Sequence, residues 1–201
     1  LARLSLAGYE ADLRAEELAA TRLHAMFPED QWATFTFFRL RSRTAPHAES
    51  IALLDSIRLT KDAAPVFELQ HAFLLAADGR RLEGTEKSFR RYLRFVPQDV
   101  TGLSGLADTL AASNRHVEAL DVRRLAATVD DTNETTASLY FSACRQLNRA
   151  EEGLEFLRNR FEAYGSKSAG PAIAAFQAYE ALERREEGFR LLDVALAKRP
   201  D

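Results

Sequence analysis

Leu82–Asp99 reads LEGTEKSFRRYLRFVPQD, and this stretch decides the fold. Leu82, Thr85, Phe89, Tyr92, Leu93 and Val96 recur at helical spacing, which makes one stripe of the segment the buried side of an amphipathic helix. Arg90, Arg91 and Arg94 fall on the other side. Pro97 then ends the helix, because its ring clashes with the preceding turn and it has no N–H to donate.

The same stop returns along the chain. Its slot holds Pro28, Asp62, Pro97, Asp131, Gly165 and Pro200, at intervals of 34, 35, 34, 34 and 35 residues, and each is a residue type that favours turns. Twelve residues before five of these stops stand the small residues Ser50, Thr85, Ala119, Gly153 and Gly188. Twenty-four residues before them stand Phe38, Phe73, Ala107, Phe141 and Phe176. A small side chain facing a large one at a fixed offset is what two closely packed antiparallel helices require. A period of 34 with two helices per unit predicts a stacked helical array.

On these residues the chain resembles the tetratricopeptide repeat family from end to end. The resemblance implies an all-α fold, a right-handed superhelical solenoid of antiparallel helix pairs. It implies a single array over 1–201, with a partial unit 1–30 and units 31–65, 66–99, 100–133, 134–168 and 169–201. Glu16 departs from the pattern by taking the small slot of the first unit. Arg123 and Arg160 depart from it at slots that are usually apolar.

Composition agrees with an array. Apolar residues make up 46%, enough for a continuous core, while a net charge of −3 exerts no general pull on nucleic acid or anionic lipid. Cys144 is the only cysteine, which excludes an internal disulfide. No run of eighteen apolar residues spans a membrane, so direct membrane insertion is not expected. The chain starts at Leu1 inside an expected helix and ends at Pro200-Asp201 without a polar capping helix. A segment of a longer, bacterial chain is therefore expected.

Within the units, a second helix from about Asp12 to Met26 is expected to bury Leu13, Ala20, Leu23 and Phe27. Thr44-Ala45-Pro46 reads as a turn, and Gly79, Asn114 and Asn148 read as left-handed helix stops. The expected cores include Leu103, Leu106, Leu110, Val117, Leu120 and Leu125 in 100–133, and Leu139, Tyr140, Phe141, Leu154, Phe156 and Leu157 in 134–168. In 169–201 they include Ile173, Phe176, Tyr179, Phe189, Leu192 and Leu196. Ser168 is expected to cap the helix that Pro171 opens.

Catalytic signals are missing. His24, His47, His71 and His116 fall at different phases of the repeat and form no i, i+4 ligand pair, so they read as surface or groove residues. No metal and no cofactor is implied. Cys144 reads as a buried small residue. Asp130-Asp131, Glu151-Glu152 and Glu186-Glu187 lie at helix starts or turns, where they need no catalytic role. Arginines cluster at 39, 41 and 43; 90, 91 and 94; 123 and 124; 158 and 160; and 184 and 185. A helical-repeat RNA reader would carry base-reading side chains at one slot of every repeat, and this chain does not.

The resemblance further implies that the first helices line a concave groove for an extended peptide or partner helix. Its groove positions fall on Trp32, Phe35, Arg39 and Arg43, then on Phe67, Gln70, Leu74 and Asp78. They continue with Thr101, Ser104 and Asp108, with Ser138, Ser142, Arg145 and Gln146, and with Gln177 and Glu180. The lysine–asparagine clamp of co-chaperone arrays is absent from these positions. The expected function is a non-catalytic scaffold for another protein or peptide segment, with an acidic or apolar stretch meeting the N-terminal end of the groove. Two alternatives are a spacer or recruiting region of a large bacterial envelope protein, such as an exopolysaccharide-export scaffold, and an RNA-binding array.

Overall fold

Every regular element in the computed structural model is an α-helix; it describes residues 13–60, 63–79, 81–131 and 133–198. The expected helix tail within residues 1–12, the helix start at Asp12 and the stop slots Asp62 and Pro200 lie outside the described residues. The chain divides into two compact units, Leu1–Val96 and Pro97–Asp201. The first holds α1 (Leu13–Met26), α2 (Gln31–Thr44), α3 (His47–Arg58), α4 (Val66–Asp78) and α5 (Leu82–Phe95), each packed on the next. The second holds α6 (Val100–Ala112), α7 (His116–Val129), α8 (Glu134–Gln146), α9 (Ala150–Tyr164), α10 (Gly170–Ala181) and α11 (Arg185–Lys198). These also pack in sequence, and α8 additionally meets α10.

Local chemistry sets the helix ends. Asp30, Asp99 and Asn133 cap α2, α6 and α8 by accepting hydrogen bonds from the backbone N–H of Ala33 (2.7 Å), Gly102 (2.6 Å) and Thr135 (2.9 Å). At α10 the N-cap is Ala169, not Ser168, and no side chain bonds the exposed amides. The first helix of most pairs ends on a left-handed residue: Gly79, Asn114, Asn148 and Glu183 have φ of 64°, 59°, 57° and 60°. Around the last three, N–H groups reach back to carbonyls five and three residues earlier, as in Arg115 to Leu110 (2.9 Å) and Asn114 to Ala111 (3.0 Å). Ala45 fills the same slot in the second repeat but is extended (φ −79°, ψ 150°), because the residue before a proline is driven out of helical conformations.

The residue after each left-handed turn repeats as well. Arg115, Arg149 and Arg184 each grip the glutamate three positions on, with contacts of 2.6–2.7 Å to Glu118, Glu152 and Glu187. The small slot is enclosed: Ser50, Thr85, Ala119, Gly153 and Gly188 are all buried. Phe38, Ala107 and Phe141 are buried with it, while Phe73 is exposed at the surface and sets its ring edge-on to Phe89 at 5.4 Å.

One cluster of the first unit joins Phe38, Leu54 and Phe67, flanked by Phe35, Ile57 and Leu74. In the second unit Leu120, Tyr140, Phe141, Cys144, Leu154, Leu157 and Tyr179 form a larger one. Several residues expected inside lie outside. Leu13, Phe27, Val117, Leu125, Leu139, Ile173, Phe189 and Leu196 are exposed. Val117, Leu125, Leu139 and Ile173 sit beside the buried stripe of their helices rather than on it. Phe189 and Leu196 occupy slots that α7 and α9 fill with the buried Leu120, Ala127, Leu154 and Phe161.

Candidate functional site

In the first unit, Trp32, Phe35, Arg39 and Arg43 follow one another at 3, 4 and 4 residues and so share one face of α2. Trp32 is 51% exposed, and Arg39 and Arg43 point outward. Beneath them Phe35 meets Phe67 of α4 ring to ring at 6.2 Å. The amide side chain of Gln31 accepts from the Ala64 N–H at 3.1 Å, which ties the start of α2 to the approach of α4. On the other side of α2, Arg41 and Thr44 both donate to Glu17 of α1, at 2.6 and 3.1 Å. The Arg41 hydrogen bond holds the Glu17 carboxyl below the usual range. The departure at Glu16 is accommodated by a 3.8 Å ion pair with Arg43.

The α4 positions divide between face and core. Phe67 is fully enclosed, so it belongs to the core and not to a partner-binding surface. Leu74 packs half-buried on the same cluster. Gln70 remains half-buried, and Asp78 is bonded to Arg81 at 3.0 Å. The first unit thus offers an apolar floor of Phe35 and Leu74, with Trp32, Arg39 and Arg43 outward.

In the second unit, Ser104 is half-buried and Asp108 is exposed and paired with Arg123 of α7 at 2.6 Å. That pair explains a charge at the apolar slot of Arg123. Ser142, Arg145 and Gln146 are exposed on α8, and Thr101 is exposed on α6. Ser138 and Gln177 come together across a pocket of about 320 Å³ between α8 and α10, lined also by Glu134, Thr135, Gly170, Ile173 and Ala174. Gln146 instead borders a separate pocket of about 140 Å³ with His116, Ala119 and Arg123. Glu180 faces a charged depression with Arg184, Arg185 and Arg190, and lies 3.5 Å from Arg185.

Glu134 and Ile173 were not anticipated at the α8–α10 pocket. Their signal was available: each stands four residues before an anticipated position, Ser138 or Gln177, on the same helical face. Glu134 is anchored from below by Arg160, which is buried, donates to both its carboxylate oxygens at 3.0 and 3.1 Å, and donates to the carbonyls of Ala127 and Asp130. Arg160 therefore fills an apolar slot by satisfying backbone groups at the end of α7.

A buried polar cluster forms where α3, α4 and α5 meet. His71, expected at a surface or groove, is buried, with Nδ1 2.7 Å from Ser88 Oγ and Nε2 3.2 Å from Asp55 Oδ1. Arg58 bonds Asp55 at 2.8 Å and reaches Glu68 at 3.4 Å, and Arg91 reaches the same Glu68 oxygen at 3.2 Å. The other Glu68 oxygen is buried with no hydrogen-bond partner among the described residues. Hydroxyl, imidazole and carboxylate stand in a row, yet Ser88 and His71 are both enclosed, which denies a substrate access to the hydroxyl. In the second unit Cys144 is buried, and burial pushes its thiol up, away from the reactive thiolate. Among the described residues no group of three or more His, Cys, Asp or Glu is placed to hold a metal, and no helix is long and apolar enough to cross a membrane.

No protein-family model and no curated protein matches the sequence. Solved structures do match the fold. MamA 41-end from Desulfovibrio magneticus RS-1 aligns with a TM-score of 0.64 at 7% identity, over 82% of this chain and 93% of that one. YrrB, described as a TPR protein with an unusual peptide-binding site, aligns with a TM-score of 0.60 at 17% identity, over 91% and 93%. TTC0263, a thermophilic TPR protein of Thermus thermophilus, gives 0.55 at 13% identity, over 87% and 94%. At these identities the likeness is one of fold: the chain folds as a tetratricopeptide-repeat array.

Proposed function

We propose that this array is a non-catalytic scaffold that binds a segment of another protein on faces formed by its first helices. The observation that carries this reading is the α2 face. An exposed indole and two outward arginines stand over a floor made by Phe35 and Leu74. Aromatic and arginine side chains are the residue types that dominate binding energy at protein interfaces. Their sign favours a partner segment that is acidic with apolar anchors. The α8–α10 pocket, with Ser138 and Gln177 at its rim and Ile173 in its wall, fits a small apolar side chain whose peptide groups pair with the rim. The peptide-binding description of YrrB, a protein of the same fold, adds support.

A protein partner suits the arginines better than RNA. Arg90, Arg91, Arg123, Arg160 and Arg184 are bonded at 2.6–3.2 Å to Glu86, Glu68, Asp108, Glu134 and Glu151 and so are drawn away from phosphate, whereas Arg43 stands 3.8 Å from Glu16. Trp32 is the only tryptophan and reports on the face directly. Peptides selected from a random library against the full chain should be enriched in Asp and Glu around an apolar residue and should change Trp32 fluorescence on titration. Arg39→Glu combined with Arg43→Glu should weaken them about tenfold or more, the scale of one strong interface residue. Selected peptides that leave the fluorescence unchanged and bind the double variant equally well would overturn the assignment of this face.

A further inference from the structure

Six polar residues meet at the α3–α4–α5 junction, and Glu68, His71 and Ser88 among them are buried. They come from two different repeats, since α3 closes the second and α4 and α5 make the third. We propose that Asp55, His71 and Ser88, ringed by Arg58, Glu68 and Arg91, form a proton-sensitive latch that fastens the second repeat to the third and loosens on acidification.

The chemistry of the two ring neighbours points to the closed form. Nε2 lies 3.2 Å from Asp55 Oδ1, an ion-pair contact, and Nδ1 lies 2.7 Å from Ser88 Oγ; the tautomer that suits both neighbours carries its proton on Nε2, facing the carboxylate, and accepts at Nδ1 from the Ser88 hydroxyl. The neutral ring thereby satisfies both neighbours, one on α3 and one on α5. Formal charges around it balance: Asp55 and Glu68 against Arg58 and Arg91. A second proton would put an N–H against the Ser88 oxygen, forcing its hydroxyl to turn away, and would leave the cluster with a net positive charge.

Opposing influences act on the ring from each helix packed on it. From α3, Asp55 favours the charged imidazole and Arg58 opposes it; from α5, Arg91 opposes it; on α4 itself, Glu68 favours it. Two features decide the balance. The imidazole is only 7% exposed whereas Asp55 is 41% exposed, so the ring feels the full cost of burial while the carboxylate's attraction is screened by water. Asp55 Oδ1 is also already committed to Arg58 through two contacts of 2.7 and 2.8 Å. Burial first, and Arg58 second, hold the ring below its ordinary value. A base with a lowered folded value takes up fewer protons when folded than when unfolded. The latch is therefore at full strength above about 6.5, the ordinary imidazole value, and weakens as pH falls below it.

The latch does not depend on whether the α2 face binds a peptide. Its test is an NMR titration of the four imidazoles in the full chain from pH 8 to pH 4.5, with His71 assigned by its loss in His71→Gln and by its shift in Ser88→Ala. His71 should titrate below about 6.5 and show the Nε2–H tautomer when neutral. Thermal unfolding of wild type and His71→Gln over the same range supplies the second readout. The unfolding equilibrium of wild type should rise by up to about tenfold more than that of the variant for each pH unit by which the His71 midpoint is lowered. A His71 midpoint at or above about 6.5 overturns the proposal, and this needs only the wild-type protein to be folded. Parallel pH profiles of the two proteins overturn it equally.

Discussion

Gly153 of α9 rests against Phe141 of α8: a methyl group built on it would stand 3.0 Å from the Phe141 Cα and 3.1 Å from its ring. The equivalent contact in the last repeat differs in kind. A methyl on Gly188 would stand 2.9 Å from a ring carbon of the half-buried Phe176 and 3.2 Å from the Cβ of Tyr179, with no backbone atom as near. Alanine brings about 1 kcal/mol of helix propensity to either site, while overpacking costs about 1–3 kcal/mol. Gly153→Ala should therefore lose about 1 kcal/mol net, because a backbone cannot step aside. Gly188→Ala should lie within about 0.5 kcal/mol of wild type, because a half-exposed ring can. Urea unfolding of the two variants checks the order, and equal losses would contradict it.

Arg160 is the second place where one side chain carries a joint. Removing it strands the Glu134 carboxylate and the Ala127 and Asp130 carbonyls. Arg160→Ala should cost about 3 kcal/mol, in the range for breaking a buried charged pair. Arg160→Met combined with Glu134→Gln should recover part of that loss. A double variant no better than the single one, by chemical denaturation, would show that the backbone carbonyls matter more than the ion pair.

Glu183 adopts φ of 60° where the equivalent residues are Gly79, Asn114 and Asn148. Side chains with a Cβ resist this conformation, and glycine or asparagine resists least. Glu183→Gly should raise stability by about 0.5–1 kcal/mol, after allowance for the greater freedom glycine gives the unfolded chain. Asn148→Ala should lower it by about 1 kcal/mol. Melting temperatures moving in the opposite directions would mean the turn relaxes to another shape.

Acid should act in two separate windows. The first is the His71 window described earlier. Lower down, Glu17 and Glu152 carry lowered values, Glu17 mainly through the Arg41 hydrogen bond and Glu152 mainly through the Tyr140 hydroxyl at 2.7 Å. A carboxylate that is more acidic when folded stabilises the protein above its unfolded value of 4.5 and loses that contribution as pH falls through the folded one. Stability should thus drop again below about pH 4.5, and the drop should be shallower for Tyr140→Phe and Glu17→Gln. Melting curves between pH 2.5 and 5 check this. A profile unchanged in both variants would assign the acid limb to other carboxylates.

The period was readable in the sequence because stacking forces a stop and a small slot on the hairpins, the slot being filled by Ser50, Thr85, Ala119, Gly153 and Gly188 and departed from only at Glu16. Left-handed stops at Gly79, Asn114 and Asn148 were readable for the same reason, since only certain residues tolerate that bend. The bend at Glu183 was not readable, because glutamate is not a residue that favours it. The polar latch was hidden for a geometric reason. Asp55, His71 and Ser88 are 16 and 17 residues apart, half a period, and a search for ligands at i, i+4 or at equal phase passes over them. The exposure of the expected groove positions was half readable. Trp32, Arg39 and Arg43 stand outward as expected from helical phase, but Phe67 shares that phase and lies in the core. Phase names the face of a helix, not how deeply its neighbour covers it.

The bends at Asn114 and Asn148 match, with φ of 59° and 57°, and stand one period apart in the chain. A second copy of that period inserted after Asn148 would enter and leave the chain through left-handed joints of matching φ. Lengthening such a protein needs no new turn to be invented, only new faces to meet, and gene duplication supplies those by copying the old ones.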